Sequence, residues 1–168
     1  MTTVLLVRHG LTSMTGPLLA GWTPGVHLDD RGRQQADALA ERLRPVPVAA
    51  VVASPLERCQ ETAAALATGR DLGVETDEGL GECRYGDWTG QELKKLAKDP
   101  LWKVVQAHPS AARFPGGEAL RETQARAVEA VRARNAALGD DATWIAVSHG
   151  DVIKAVVADA LGLHLDLF

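Results

Sequence analysis

Two short segments of this sequence place an imidazole beside a glycine directly after an apolar run. They are Arg8-His9-Gly10 and Ser148-His149-Gly150. A third segment, Ser54-Pro55-Leu56-Glu57-Arg58, also follows an apolar run and carries a second arginine. An imidazole with one unprotonated ring nitrogen can attack phosphorus, provided its other nitrogen is held by a carbonyl or carboxylate. The phosphoryl group in transfer spreads negative charge over its equatorial oxygens and must be surrounded by donors. Arginine suits that task, being always charged and able to bind two oxygens at once. The turn at Gly10 and a helix starting after Gly150 would add backbone N–H groups. A leaving alkoxide needs a proton, which a carboxylic acid in the pocket would supply.

These residues act together only if the fold brings them together. Val4–Val7, Val48–Ala53 and Trp144–Val147 read as buried parallel strands, short, apolar on both faces and rich in β-branched residues. Gly73–Thr76 is a weaker fourth strand. Helices are expected at Gly32–Arg44, with Ala36, Leu39, Ala40 and Leu43 on one stripe, at about Glu118–Leu138, and at about Asp151–Leu161. After the second strand, Ser54 as N-cap, Pro55 at N1 and Glu57 at N3 predict another helix, with Leu56, Cys59, Ala63 and Leu66 inward. Strands alternating with helices indicate an α/β fold with a mostly parallel sheet. In such sheets ligands bind beyond the carboxyl ends of the strands. There the three segments converge. Met14–Leu28 and Gly79–Pro115, rich in Gly and Pro, read as loops.

The chain of 168 residues suits one domain. A net charge of -4, with no basic tail or charge run, argues against a nucleic-acid or membrane-surface partner, while a local arginine cluster leaves room for a small anion. The two cysteines, Cys59 and Cys83, make no zinc spacing and no disulfide framework, and read as reduced thiols of a cytoplasmic protein. Nothing at the start resembles a signal peptide, and no apolar run approaches a membrane span. Gly79–Arg84 misses the last glycine of a dinucleotide fingerprint, and neither a P-loop nor H-E-x-x-H occurs, so no nucleotide cofactor and no metal are expected.

At these residues the chain resembles the histidine phosphatase superfamily, which includes the phosphoglycerate mutases. Arg8-His9-Gly10-Leu11-Thr12 is similar to its R-H-G-x-T motif, and Ser54–Ala63 to its second-arginine helix. Leu80–Gly90 is similar to its acidic loop, and Phe114-Pro115-Gly116-Gly117-Glu118 and Val147–Gly150 complete the set in order. The resemblance implies a phosphoglycerate mutase-like three-layer sandwich, a parallel sheet between helices. It implies that His9 becomes phosphorylated and that Arg8, Arg58 and His149 bind the phosphoryl group. Glu82 stands where the family keeps its proton donor, and Thr12 offers a supporting hydroxyl. The chain departs from the family at Thr15, where an asparagine is usual, and at its end. Relatives continue beyond the last helix into a strand or hairpin, whose loss would expose an edge and favour homo-oligomers.

Three functions remain open: a phosphomonoesterase acting on a small phosphorylated metabolite, a phosphoglycerate-type mutase using the same intermediate, and a non-catalytic phospholigand-binding module. The mutases carry a long basic segment after the acidic loop. Here that stretch is short, with Lys94, Lys95, Lys98, Lys103 and Arg113, which favours hydrolysis. His27, His108 and His164 read as surface or packing residues, Cys83 as structural, and Trp88 as packing for the acidic loop or lining for the pocket.

Overall fold

The computed structural model describes residues 1–167. Phe168, where the sequence suggested a missing strand beyond, lies outside them. Four strands form one parallel sheet in the order β1-β4-β2-β3: β1 Thr3–Arg8, β2 Ala50–Ala53, β3 Val74–Thr76 and β4 Thr143–Ser148. The helices are α1 Asp30–Leu43, α2 Glu57–Ala67, α3 Leu93–Leu96, α4 Pro100–Ala107, α5 Leu120–Leu138 and α6 Gly150–Ala160.

Alternation along each strand builds a core on both faces. Ala50, Val52, Trp144 and Ala146 pack with Ala127, Val128 and Val131 of α5 and Val152 and Val156 of α6. Val7, Val51, Ala53, Ile145 and Val147 face the other way, onto Cys59, Ala63 and Leu66 of α2, with Leu39, Ala40 and Leu43 of α1 beside them. Three layers result, and strands buried on both faces read as continuous apolar runs. A third cluster, away from the sheet, joins Tyr85, Trp88, Leu96, Phe114 and Leu120 and includes residues of α3 and α4 at its edge.

Helix starts differ from the expected ones. Asp29 caps α1, accepting from Gly32 N at 2.7 Å, so the helix begins before Gly32. α2 begins at Glu57 after an extended Leu56, with no side-chain cap. Ser54 is therefore not its N-cap: the hydroxyl is held 2.8 Å from His149 Nε2 instead. The stretch read as loop after Gly90 holds two short helices, of which α4 carries Pro100 at its start and an Asp99 cap on Leu101 N at 2.8 Å.

Register sets the site. Arg8 stands opposite Ser148 and Ala53 opposite Val147. His9 N donates to Ser148 O at 3.1 Å, and Ser54 N to Val147 O at 2.9 Å. Three adjacent strands thus end at one level, where the chain order of the sheet reverses.

Candidate active site

His9 leaves β1 at a turn that glycine makes feasible. A Cβ on Gly10 would lie 2.5 Å from Gly32 O, so the turn presses directly on the first turn of α1. Gly10 N donates to Thr62 Oγ1 at 3.1 Å, and Thr62 Oγ1 donates to Arg58 O at 2.7 Å, tying the turn to α2. His9 Nδ1 lies 2.7 Å from Gly10 O, which fixes the proton on Nδ1 and leaves a lone pair on Nε2. Arg58 Nε donates to that Nε2 at 3.2 Å. Burial lowers the His9 pKa to about 4; the Gly10 carbonyl opposes this, and the Arg58 and Arg8 charges add to it. The imidazole is neutral at pH 7.

His149 directly follows β4, is fully buried, and its ring centroid lies 5.2 Å from that of His9. Its Nε2 meets Ser54 Oγ at 2.8 Å, and its Nδ1 faces Arg58 Nη2 at 3.3 Å. Burial, then the Arg58 charge, holds it well below the usual histidine range. Arg58 is 1% exposed. Its hydrogen bonds go to both imidazoles and to Gly21 O at 2.8 Å, none to a carboxylate. Nη1 has no partner, alone among the buried side-chain nitrogens and oxygens of the described residues. A buried guanidinium without a counter-ion is costly. An anion beside Nη1 would relieve that cost.

Glu82 is brought here by long-range contacts. Trp22 Nε1 donates to Glu82 O at 2.6 Å, and Arg126 of α5 donates to the carbonyls of Gly79, Gly81 and Glu82 while pairing with Glu118 at 2.9 Å. The Phe114–Glu118 segment packs tightly on the acidic loop: a Cβ on Gly117 would sit 2.0 Å from Arg84 O. The Glu82 carboxylate lies 3.6 Å from His149 Nδ1. Burial first, then the Asp151 charge, raises its pKa to about 7, against the pull of Cys83 N–H, Arg58 and the Tyr85 hydroxyl. A carboxyl in that state can both give and take a proton near neutrality.

A cavity of about 180 Å³ is lined by Arg8, His9, Thr12, Thr15, Arg58, Glu82 and Gly150, among others. The eight residues singled out from the sequence therefore sit together, His149 just behind the lining. Arg8 is exposed and crosses Gly150, where an added Cβ would come 3.6 Å from Arg8 Nε. The Thr12 and Thr15 hydroxyls face one another at 3.0 Å, so Thr15 turns toward Thr12. Tyr85 and Asp151 were not singled out, yet both line the cavity. Tyr85 Oη donates to Asp151 Oδ2 at 2.8 Å and lies 3.4 Å from Glu82 Oε1. Asp151 had a signal, an acid in the first turn of the helix after His149; Tyr85 had only its place three residues after Glu82. Ser54, whose sequence context predicts a helix cap, contacts His149 instead.

His27, His108 and His164 are exposed. Cys59 and Cys83 are free and buried, and burial pushes the Cys59 thiol up to about 12 and Cys83 higher still, so neither is a thiolate nucleophile. Among the described residues no group of three or more His, Cys, Asp or Glu side chains is placed to hold a metal, and no helix is long and apolar enough to cross a membrane.

The model of the histidine phosphatase superfamily (branch 1) matches residues 4–168. The chain belongs to that superfamily. The solved structure of Bacillus stearothermophilus YhfR superposes with a TM-score of 0.91 at 32% identity, covering 99% of this chain and 83% of YhfR. The mycobacterial glucosyl-3-phosphoglycerate phosphatase Rv2419c, solved with VO3, gives 0.85 at 30% identity, covering 96% and 82%. A protein named "Probable phosphoglycerate mutase GpmB" from Enterobacter sp. (strain 638) is 30% identical over 165 residues, 97% of this chain and 76% of its own. Several mycobacterial relatives are longer, and the chain spans only 39% to 48% of their length.

Proposed function

We propose that the chain is a metal-independent phosphomonoester hydrolase acting through a phosphohistidine on a small phosphorylated metabolite. The observation that carries this is the buried Arg58 with its orphan Nη1, beside a neutral His9 imidazole at the same cavity whose Nε2 now accepts from Arg58 Nε and is released for attack when that N–H turns to a phosphoryl oxygen. In the first step His9 Nε2 attacks phosphorus and the ester P–O bond breaks. The departing oxygen keeps the electron pair and takes a proton from the Glu82 carboxylic acid. Arg8, Arg58 and the α6 N-terminus at Gly150 hold the equatorial oxygens, with Thr12 and Thr15 at the cavity edge. His149, neutral and just behind the lining, positions the Arg58 guanidinium through its Nδ1, 3.3 Å from Nη2. In the second step the Glu82 carboxylate takes a proton from water, water oxygen bonds to phosphorus, and the P–N bond returns its pair to Nε2.

The mutase reading requires cations to retain a bisphosphate. Lys94, Lys95, Lys98, Lys103 and Arg113 are all exposed and none lines the cavity, while Glu82 and Asp151 do. That arrangement supports hydrolysis, and the intact nucleophile and arginines speak against a mere binding module. We place the protein in the cytoplasm, acting as one domain on a metabolite, with neither nucleic acid nor membrane as partner; self-association is measured by sedimentation. The deciding assay follows phosphate release from a chromogenic phosphomonoester with chelator present. Turnover abolished in His9→Ala is expected. Turnover only after a bisphosphate primer and phosphoglycerate are supplied would select the mutase, and binding of phosphate without turnover the binding module.

A further inference from the structure

Beside the phosphoryl cavity lies a second one of about 270 Å³. The two share Leu19, Tyr85, Leu93 and Asp151, so they are continuous at the point where a leaving group would emerge. Its walls combine four aromatic rings, Tyr85, Trp88, Trp102 and Phe114, with aliphatic and a few polar side chains. Trp88 and Trp102 lie nearly parallel, 28° apart with centroids at 6.1 Å, and Phe114 meets Trp88 edge-on at 5.3 Å. Trp102 and Val105 come from α4, one helical turn apart, and both are only half-buried. The cation in the lining, Lys154, stands 3.1 Å from the Asp151 carboxylate.

We propose that this second cavity seats the alcohol portion of the monoester and selects an uncharged, flat, aromatic or similarly apolar group. The proposal rests on the phosphohydrolase reading and narrows its substrate class. A ring placed between the phosphoryl site and Trp102 would bury apolar area and meet π-faces. A leaving group bearing a carboxylate or a second phosphate would meet apolar walls and the Asp151 carboxylate, with the nearby ammonium already engaged by Asp151. Selection is therefore by apolar fit on α4 and by charge exclusion on α6, while the chemistry remains at His9.

The test compares three alkyl monoesters of similar intrinsic reactivity: 2-naphthylmethyl phosphate, glycerol 3-phosphate and 3-phosphoglycerate. The naphthylmethyl ester is expected to show kcat/KM at least about 10-fold above each of the others, the scale of one buried aromatic contact. Trp102→Ala should bring that ratio to within about threefold of one. Val105→Lys, which adds a cation at a half-buried wall position, should shift preference toward 3-phosphoglycerate and serves where Trp102→Ala loses its fold. A wild-type preference for 3-phosphoglycerate, or a naphthylmethyl preference that survives both substitutions, overturns the proposal while leaving the hydrolase reading intact. No release of phosphate from any of the three would remove the hydrolase reading and this inference with it.

Discussion

Asp151→Asn should move the alkaline limb of the pH–rate profile without touching the nucleophile. Tyr85 Oη bridges Glu82 and Asp151, which places the two carboxylates at most about 6 Å apart. Two charges at ~6 Å repel by ~0.7 kcal/mol at the dielectric of water and by ~2.8 kcal/mol at an effective value of ~20. The Asp151 side chain is 34% exposed and paired with Lys154, so the lower part of that range applies, about 1 kcal/mol or somewhat under one pH unit. Asparagine keeps an acceptor for Tyr85 and removes the charge. The Glu82 proton, lost near pH 7 in the wild type, should then be lost closer to ~6.3. Because Glu82 must be protonated to serve the leaving oxygen, kcat/KM for benzyl phosphate should fall about fivefold at pH 8 and stay close to wild type at pH 5.5. Ionisation of the substrate is common to both proteins and cancels in the ratio. The acidic limb, set by His9 at about 4, should not move. An alkaline limb that stays in place, or moves upward, would refute the assignment of Glu82 as the acid tuned by Asp151.

Arg58→Ala should lower kcat by at least about 100-fold, the scale of one oxyanion donor, and a near-normal rate in a phosphate-release assay would remove Arg58 from the pocket. Glu82→Gln should slow alkyl phosphates far more than nitrophenyl phosphate, since only the former need a proton on departure; equal slowing would argue against proton donation. Two glycines should part company in thermal melts. Gly117→Ala drives a Cβ toward Arg84 O and should cost about 2 kcal/mol, whereas Gly150→Ala meets only Arg8 Nε at an ordinary distance and should melt near wild type while losing activity.

The strand ends were legible because each carries its own chemistry. Val7 and Val147 are buried on a sheet covered on both faces, so the apolar runs stood out, and their register alone places His9 level with His149. Ser54 was misread because Ser-Pro-x-Glu satisfies the local grammar of a helix start, while the partner that claims its hydroxyl is 95 residues away. α4 went unseen because it has no fully buried residue and rests on one cap and the aromatic cluster beneath it. The Glu82 position depends on Trp22 and Arg126, contacts between distant segments that no spacing encodes. The likeness of the acidic loop to a known motif gave Glu82, but not its link through Tyr85 to Asp151. Where the candidate site depends on one strand end the sequence is sufficient; where it depends on loops meeting loops it is not.

The proposed reaction turns on a covalent bond between phosphorus and one named nitrogen. Wild-type protein mixed with a phosphomonoester and quenched in alkali within one turnover should carry one phosphoryl group on His9. It should be bonded to Nε2, because Nδ1 is committed to the Gly10 carbonyl. Phosphate release that proceeds with no phosphoryl group on His9, or with the label on Nδ1 or on another residue, would contradict it.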